Sequence, residues 1–482
     1  MLDLPEWVGP TYYVCELVLQ VVFAGIVLLR KARHSTAALA WILVIFALPA
    51  LLGIVLYLLV GEVHFGARRI RRHAEIVERI RACSLPWLGH TAPEYLAQNY
   101  EPIAAMAEGV GGLPPRAGNE LALMGNAAQV IDALARDIDA ARSHCHLCFY
   151  VYLPDASGRR IAAALMRARE RGVACRLLVD AVGSRPFLRS KLCRELRAAG
   201  VRVVAALPAS LPRVAIARLD LRNHRKLAVI DGLVGYTGSQ NVADADFAPK
   251  PRAAPWVDAM LRIAGPAVHD LQEIFIEDWY LDSDESLEEL LGVEPPMVTD
   301  GVAVQILPTG PNFRNEAFKQ LNQALFQIAR EELILTTPYL VPDEAAISAL
   351  CTAARRGVQT MIVVPRVNDS LLVGAASRSY YADLLEAGIE IHEFQKGLLH
   401  AKTMTVDRDV ALVSTANFDR RSFGLNFEVS ALVYDTDFAS QLRFLQREYI
   451  EDSRRVDLAR WRRRSWKLRL VHNAAGLLSP LL

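Results

Sequence analysis

The chain has 482 residues and a formal net charge of +1. That length allows two or three domains with a large core, and the charge is too even to hold nucleic acid by bulk positive potential. Apolar residues make up 52% of the sequence and mean hydropathy is +0.19, high for a wholly soluble enzyme, with the excess gathered near the N-terminus.

Two hydrophobic runs open the chain. The first covers about residues 11–29, interrupted by Glu16 and Gln20, and the second covers about 37–61, free of charge and containing Pro49 and Gly53. Each is long enough to cross a hydrocarbon layer of roughly 30 Å, which predicts a transmembrane hairpin over residues 1–61. Asp3 and Glu6 in the leader count against a cleaved signal peptide. Arg30, Lys31 and Arg33 lie between the runs, and Arg68, Arg69, Arg71, Arg72, Arg79 and Arg81 follow them. The larger basic set favours the cytoplasm for the remainder of the chain. Glu16 reads as a charge tolerated near a helix end. Seven scattered cysteines, an odd number set mostly in apolar runs, argue against a disulfide framework and agree with a reducing compartment.

A juxtamembrane linker is expected over residues 62–118, ending in the Gly/Pro-rich stretch 111–118. Beyond it, strands and helices alternate. Strands are predicted at Cys145–Tyr152, Ala174–Asp180 and Val201–Ala206, with helices at Arg159–Arg171 and Leu188–Ala199. The same order returns with strands at Leu333–Tyr339 and Thr360–Val364, a helix at Glu344–Arg356 and the end of another at Tyr381–Ala387. Arg171-Gly172-Val173 matches Arg356-Gly357-Val358, and Ala199-Gly200-Val201 matches Ala387-Gly388-Ile389. The pattern predicts an α/β fold in two repeated halves, residues 119–300 and 301–452, each covering what the other cannot bury alone.

The candidate chemistry falls at matching places in the repeats. The first copy reads His224-Arg-Lys226-Leu-Ala-Val-Ile-Asp231 and then Gly238-Ser239-Gln240-Asn241; the second reads His400-Ala-Lys402-Thr-Met-Thr-Val-Asp407 and then Ser414-Thr415-Ala416-Asn417. A spacing of two on a strand points His and Lys to one face. Each half thus offers an imidazole, an ammonium and, across a turn, a carboxamide. An imidazole attacks phosphorus or protonates a leaving oxygen near neutral pH, while lysines and asparagines hold non-bridging oxygens. Two facing copies would place one imidazole on either side of a single phosphorus atom.

These residues resemble the paired His-x-Lys-x4-Asp motifs of the phospholipase D superfamily. With the two N-terminal runs and the ending Leu477-Leu478-Ser479-Pro480-Leu481-Leu482, the chain is similar to the bacterial cardiolipin synthase family. The resemblance implies two pseudo-symmetric α-β-α sandwich halves packed around one active site, in a multi-pass protein of the bacterial inner membrane with a cytoplasmic catalytic domain. It implies phosphatidyl transfer between two phosphatidylglycerol molecules, giving cardiolipin and glycerol through a phosphatidyl-histidine. His224 is the nucleophile by family analogy and His400 the acid and base. Neither a cofactor nor a metal is implied. The partners are phosphatidylglycerol and anionic membrane lipid, nucleic acid is not among them, and homo-oligomerisation stays open. In this family a carboxylate further along each copy holds the histidine's other nitrogen, and Asp258 and Glu428 stand at the matching positions, with ordinary surface carboxylates as the alternative. Asp231 and Asp407 complete the motif, catalytically or structurally. Asn241, Asn417, Ser239, Ser414 and Tyr236 are the candidates around the phosphate.

Other features carry two readings each. His144-Cys145-His146-Leu147-Cys148 offers metal-type ligands, but no second cluster follows it and a buried strand explains it. The basic C-terminal tail, residues 453–482, mixes Arg460, Arg462, Arg463, Arg464, Lys467 and Arg469 with Trp461, Trp466, Leu468 and Leu470, as suits an anionic bilayer, a solvated tail or a helix packed on the protein. The loop Pro208–Ile216 and Leu398-Leu399 are apolar neighbours of the motifs that either meet acyl chains or pack internally. Rival functions are hydrolysis by a phospholipase D, transfer from phosphatidylethanolamine, a nuclease of the same superfamily, and passive binding of anionic lipid.

Overall fold

Pro49 cuts the second apolar run in two. The computed structural model describes residues 8–29, 35–61, 67–84, 96, 100–208, 220–247, 249–311 and 316–479. It resolves into two units, Met1–Ile70 with Ala209–Leu221, and Arg71–Pro208 with Arg222–Leu482. The first unit holds α1 (Val8–Leu29), α2 (Ser35–Ala47) and α3 (Ala50–Val60). Among the described residues only α1, over Pro10–Leu29, is long and apolar enough to cross a membrane. The predicted second span is instead two helices of 13 and 11 residues, because proline has no N–H to bond back to the Ile45 carbonyl. Gln20 on α1 repairs the break, donating through Nε2 to the carbonyls of Ile45 (3.0 Å) and Leu48 (3.2 Å). Glu16 accepts the Ala50 N–H at 3.0 Å, so the charge read as merely tolerated satisfies an orphan donor at the start of α3. Asp3, Glu6, the Arg30–Arg33 connection and most of the Pro208–Ile216 loop lie outside the described residues.

The expected linker contains α4 (Ala67–Ser84) and α5 (Glu101–Gly111), and Ile76 and Ile80 of α4 join a hydrophobic core. The first half then runs β1 (Arg116–Met124), α6 (Ala127–Ala140), β2 (His144–Phe149), α7 (Ala156–Glu170) and β3 (Ala174–Asp180). It continues with α8 (Arg185–Leu188), α9 (Lys191–Ala198), β4 (Arg202–Ala206), β5 (Arg222–Asn223), β6 (Lys226–Ile230) and β7 (Val234–Gly238). β8 (Trp256–Val257), β9 (Met260–Ala264) and α10 (Ala267–Ser283) close it.

The second half repeats the plan with β10 (Val302–Thr309), α11 (Ala317–Ile328), β11 (Glu332–Thr336), β12 (Leu340–Val341), α12 (Glu344–Arg355) and β13 (Gln359–Pro365). Next come α13 (Leu371–Ser379), α14 (Tyr381–Glu386), β14 (Glu390–Phe394), β15 (Leu398–Leu399), β16 (Thr403–Val406) and β17 (Val410–Ser414). β18 (Phe418–Asp419), α15 (Arg420–Gly424), β19 (Asn426–Tyr434) and α16 (Thr436–Glu451) follow, then β20 (Ser453–Arg455), α17 (Leu458–Arg462) and α18 (Trp466–Leu477).

Among the described residues one 16-stranded sheet carries both halves in the order β20-β14-β13-β11-β16-β17-β19-β10-β1-β9-β7-β6-β2-β3-β4, with β5 paired to β19. The parallel trios β2-β3-β4 and β11-β13-β14 come from the alternating elements visible in the sequence. The halves join where β1 pairs antiparallel with β10, two strands the periodicity reading did not find. Separate hydrophobic cores lie under α6, α7 and α9 and under α11, α12 and α14, and another is built from α10, α16 and strands of both halves. The matching Arg-Gly-Val triplets end α7 and α12: Gly172 (φ 89°) and Gly357 (φ 96°) turn left-handed, and Val173 and Val358 donate back to the carbonyls of Ala168 (3.0 Å) and Ala353 (3.2 Å).

The cysteine- and histidine-rich run is β2, and all six of its residues are buried. His146 stacks on Phe275 at 4.5 Å and bonds Gln272 at 2.8 Å, so the run serves packing. Asp231 and Asp407, named among the catalytic candidates, sit at the far ends of β6 and β16 from the histidines. Asp231 accepts the backbone N–H groups of Arg142, Ser143 and His144 at 2.7–2.8 Å. Asp407 does the same for Arg330, Glu331 and Glu332 at 2.8–3.0 Å. Both are backbone anchors that fix where β2 and β11 begin, and neither touches the site. Tyr236 is likewise turned away, its hydroxyl bonded to Asp137.

Candidate active site

Each histidine stands just before a buried strand and is held from the opposite half. The His224 N–H donates to the Phe427 carbonyl at 2.9 Å, and the His400 N–H donates to the Val257 carbonyl at 2.7 Å. Short parallel pairings carry this exchange: β5 lies along β19, with Arg222 opposite Asn426, and β15 lies along β8, with Leu398 opposite Trp256. Leu398 and Leu399 are fully buried in this seam, which excludes the reading that they meet acyl chains.

The crossing decides which carboxylate serves which imidazole. His224 Nδ1 lies 2.8 Å from Glu428 Oε1, and His400 Nδ1 lies 2.6 Å from Asp258 Oδ1. Both candidates therefore hold a histidine, but each holds the other half's and not its own. Burial works against ionising Asp258, yet His400, Lys402 and the Ser239 hydroxyl outweigh it and keep the carboxyl at about 2. Glu428 is lowered in the same way by His224 and Lys226 against its burial. An ionised carboxylate only accepts, so Nδ1 carries the proton on both rings and each Nε2 has a free lone pair.

Burial is the largest influence on both imidazoles and pushes each down to about 4. Lys402 adds to the depression of His224, and Lys226 to that of His400, so each ring feels the ammonium of the opposite half. The two half-sites thus form one electrostatic unit. Lys226 and Lys402 are themselves buried, each donating to the backbone carbonyl of its own histidine, at 2.7 and 2.6 Å. Desolvation lowers Lys226 to about 8 and Lys402 well below its ordinary value.

The other candidates divide. Ser239 donates to Asp258 at 2.6 Å and so supports a carboxylate instead of facing a phosphate. Its counterpart at the same offset is Thr415, which donates to Glu428 at 2.6 Å. Ser414 pairs with Ser430 inside the sheet at 2.8 Å, away from the expected role. Asn241 spends its carbonyl oxygen on the Val151 N–H at 3.0 Å, and Asn417 is buried with its side-chain oxygen unpaired among the described residues.

Several neighbours escaped the sequence reading. Glu428 also accepts from Ser422 (3.0 Å) and Asn426 (3.3 Å). Tyr150 packs edge-on against His224 at 4.7 Å, and Trp256 lies 4.5 Å from the His400 ring. Arg225, 1% exposed, bonds Asp278 at 2.5 Å and donates to the carbonyls of Glu428 (3.0 Å) and Thr309 (3.2 Å), tying the halves together behind the histidines. The only signal for Arg225 was its place inside the first motif. Nothing in the sequence pointed to Tyr150.

Comparison with known proteins agrees with this geometry. Residues 134–279 and 322–446 match the family described as cardiolipin synthase, PLD-like domain, and residues 18–62 match the phospholipase D-nuclease N-terminal family. Cardiolipin synthase A of Klebsiella pneumoniae (strain 342) is 38% identical over 475 residues, and that of Pectobacterium carotovorum is 39% identical over 478; both alignments cover 96% of each chain. The crystal structure of phosphatidylserine synthase from Haemophilus influenzae shares the fold, with a TM-score of 0.60 at 15% identity, over 79% of this chain and all of that one. A doubled histidine–lysine site with exchanged carboxylates, in a chain that aligns over 96% of its length with both cardiolipin synthases, places the protein in the cardiolipin synthase family of phospholipase-D-like enzymes.

Proposed function

We propose that the protein transfers a phosphatidyl group from one phosphatidylglycerol to a glycerol hydroxyl of another, giving cardiolipin and free glycerol, with His224 as the covalent carrier. The observation that supports it is the pair of buried imidazoles, each with Nδ1–H on a carboxylate and Nε2 free, with both lysines acting on both rings. The first step is taken by the form with His224 neutral and His400 protonated on both nitrogens: His224 Nε2 bonds to phosphorus, the phosphorus–glycerol oxygen bond breaks, and His400 gives its Nε2 proton to the departing glycerol. In the second, His400 takes the proton of the incoming hydroxyl, the new phosphorus–oxygen bond forms, and the phosphorus–nitrogen bond breaks. One phosphodiester replaces another, so no nucleotide is consumed. Lys226 and Lys402 offset charge on the non-bridging oxygens.

The assignment of roles rests on an asymmetry. Glu428 accepts from His224, Thr415, Ser422 and Asn426, whereas Asp258 accepts from His400 and Ser239. A carboxylate whose charge is spread over four donors stabilises its imidazolium less, which suits the ring that must stay neutral to attack. Asp258 keeps more of its charge for His400, which must carry a proton between steps.

For the anchor, the reading is two crossings in the bacterial inner membrane, α1 and then α2–α3 as one proline-broken span, with the catalytic unit cytoplasmic. Gln20 and Glu16 support it, since they satisfy backbone groups that hydrocarbon would leave bare. Purified protein supplied with phosphatidylglycerol alone tests the reaction. Cardiolipin and glycerol in equal amounts support transfer. Phosphatidic acid as main product means that water resolves the intermediate, and cardiolipin formed only after adding phosphatidylethanolamine identifies a different donor.

A further inference from the structure

The C-terminal helix α18 is pinned to the catalytic unit on one side and bare on the other. His472 and Ala475 are buried, and Trp461 stacks on the His472 ring, with centroids 6.0 Å apart and planes 15° apart. Gly476 lies so close to α13 that an added Cβ would stand 2.6 Å from the Ser379 hydroxyl. The helix is therefore seated on the protein and is not a solvated tail.

Its outward face is apolar. At about 100° per residue, Trp466, Leu470 and Leu477 fall on one narrow stripe, opposite His472 and Ala475. These three side chains are 69%, 60% and 83% exposed. Lys467 and Arg469, both exposed, flank the stripe on its two sides, and Asn473 is the single polar residue that interrupts it. Arg462 and Arg463, also exposed, precede the helix, and α13, packed against it, begins with Leu371 at 86% exposure. A core helix turns its apolar stripe inward; this one turns a second stripe outward, with tryptophan near one end and cations along both edges.

We infer that α18 is an interfacial helix that seats the catalytic unit on an anionic phospholipid leaflet, its Trp466-Leu470-Leu477 stripe among the upper acyl carbons and Lys467 and Arg469 at the phosphates. This rests on the reading that the substrate is a bilayer phospholipid, which supplies the occupant: a negatively charged surface complementary to the flanking cations. The seating governs how the site meets substrate held in a membrane and takes no part in the bond exchange.

The test uses the full-length protein in phosphatidylcholine nanodiscs with or without phosphatidylglycerol, some lipids bearing bromine on the acyl chains. The emission of Trp466 is isolated as the difference between wild type and W466F. Expected is a blue-shifted signal, mostly quenched by the brominated chains when phosphatidylglycerol is present, with quenching lost in L470E/L477E. In K467E/R469E the docking equilibrium constant, read from the quenched and unquenched populations, should fall at least about fivefold for each residue changed. A signal at the water-exposed wavelength, unquenched in anionic discs, overturns the inference. So does a signal shielded but beyond reach of bromine, which would assign the face to a second copy of the chain. Turnover of dispersed short-chain phosphatidylglycerol is measured in parallel. L470E/L477E should keep that activity, and failure of wild type in this arm would strike the proposed reaction while leaving the quenching result to stand.

Discussion

Glu428→Gln isolates the contribution of a carboxylate from one half to a histidine of the other. Glutamine keeps the shape, and the hydroxyls of Thr415 and Ser422 can rotate to accommodate an amide. What disappears is the charge facing His224, whose Nδ1 sits 2.8 Å from the carboxylate oxygen. With charge centres about 4 Å apart and an effective dielectric of about 20, that interaction is worth about 4 kcal/mol. Since charge develops on the imidazole as phosphorus bonds to Nε2, the loss falls on the transition state and should slow adduct formation about a thousandfold. The assay is single-turnover labelling with phosphatidylglycerol radioactive at phosphorus, quenched in denaturant, with label on His224 followed against time. Thermal unfolding of the variant separates a chemical loss from a folding loss. Labelling at the wild-type rate in a folded E428Q protein would refute the crossed pairing as a working part of the site.

Three further outcomes follow from the geometry. Both imidazoles stand at about 4, and the first step needs His224 neutral and His400 protonated, so kcat/KM should fall on the acid side of about 4 as the attacking ring protonates, fall on the other side as His400 loses its proton, and fall more steeply above about 8, where Lys226 loses its charge. In Lys226→Arg the guanidinium stays charged, and persistence of the alkaline limb near pH 8 would remove Lys226 as its cause. Asp231→Asn and Asp407→Asn should each cost about 1–3 kcal/mol of stability, read by denaturant unfolding, with kcat nearly unchanged at low temperature; a large loss of kcat in a fully folded variant would restore them to the chemistry. Arg225→Leu leaves Asp278 buried without its charge partner and should destabilise by about 3–5 kcal/mol, and adding Asp278→Leu should recover most of that in the same unfolding assay. Failure of the double variant to recover would show that Arg225 acts mainly through the Glu428 and Thr309 carbonyls.

The sequence by itself determined the repeat, the histidines and lysines, and most alternating strands and helices, because periodicity, glycine stops and fixed offsets are local properties of the chain. It also carried Asp258 and Glu428 as candidates. It did not carry β1 and β10, whose pairing partners are far away in sequence, nor the break at Pro49, where a run that looks continuous by hydropathy loses a backbone hydrogen bond. The family resemblance implied that each histidine keeps the carboxylate of its own half. Tertiary structure decided otherwise, because β5 pairs with β19 and β15 with β8, and such pairings between distant segments leave no periodic mark in the sequence. The same long-range packing set Thr415 beside Glu428 and sent Ser414 to Ser430, one position apart on the chain and in different surroundings.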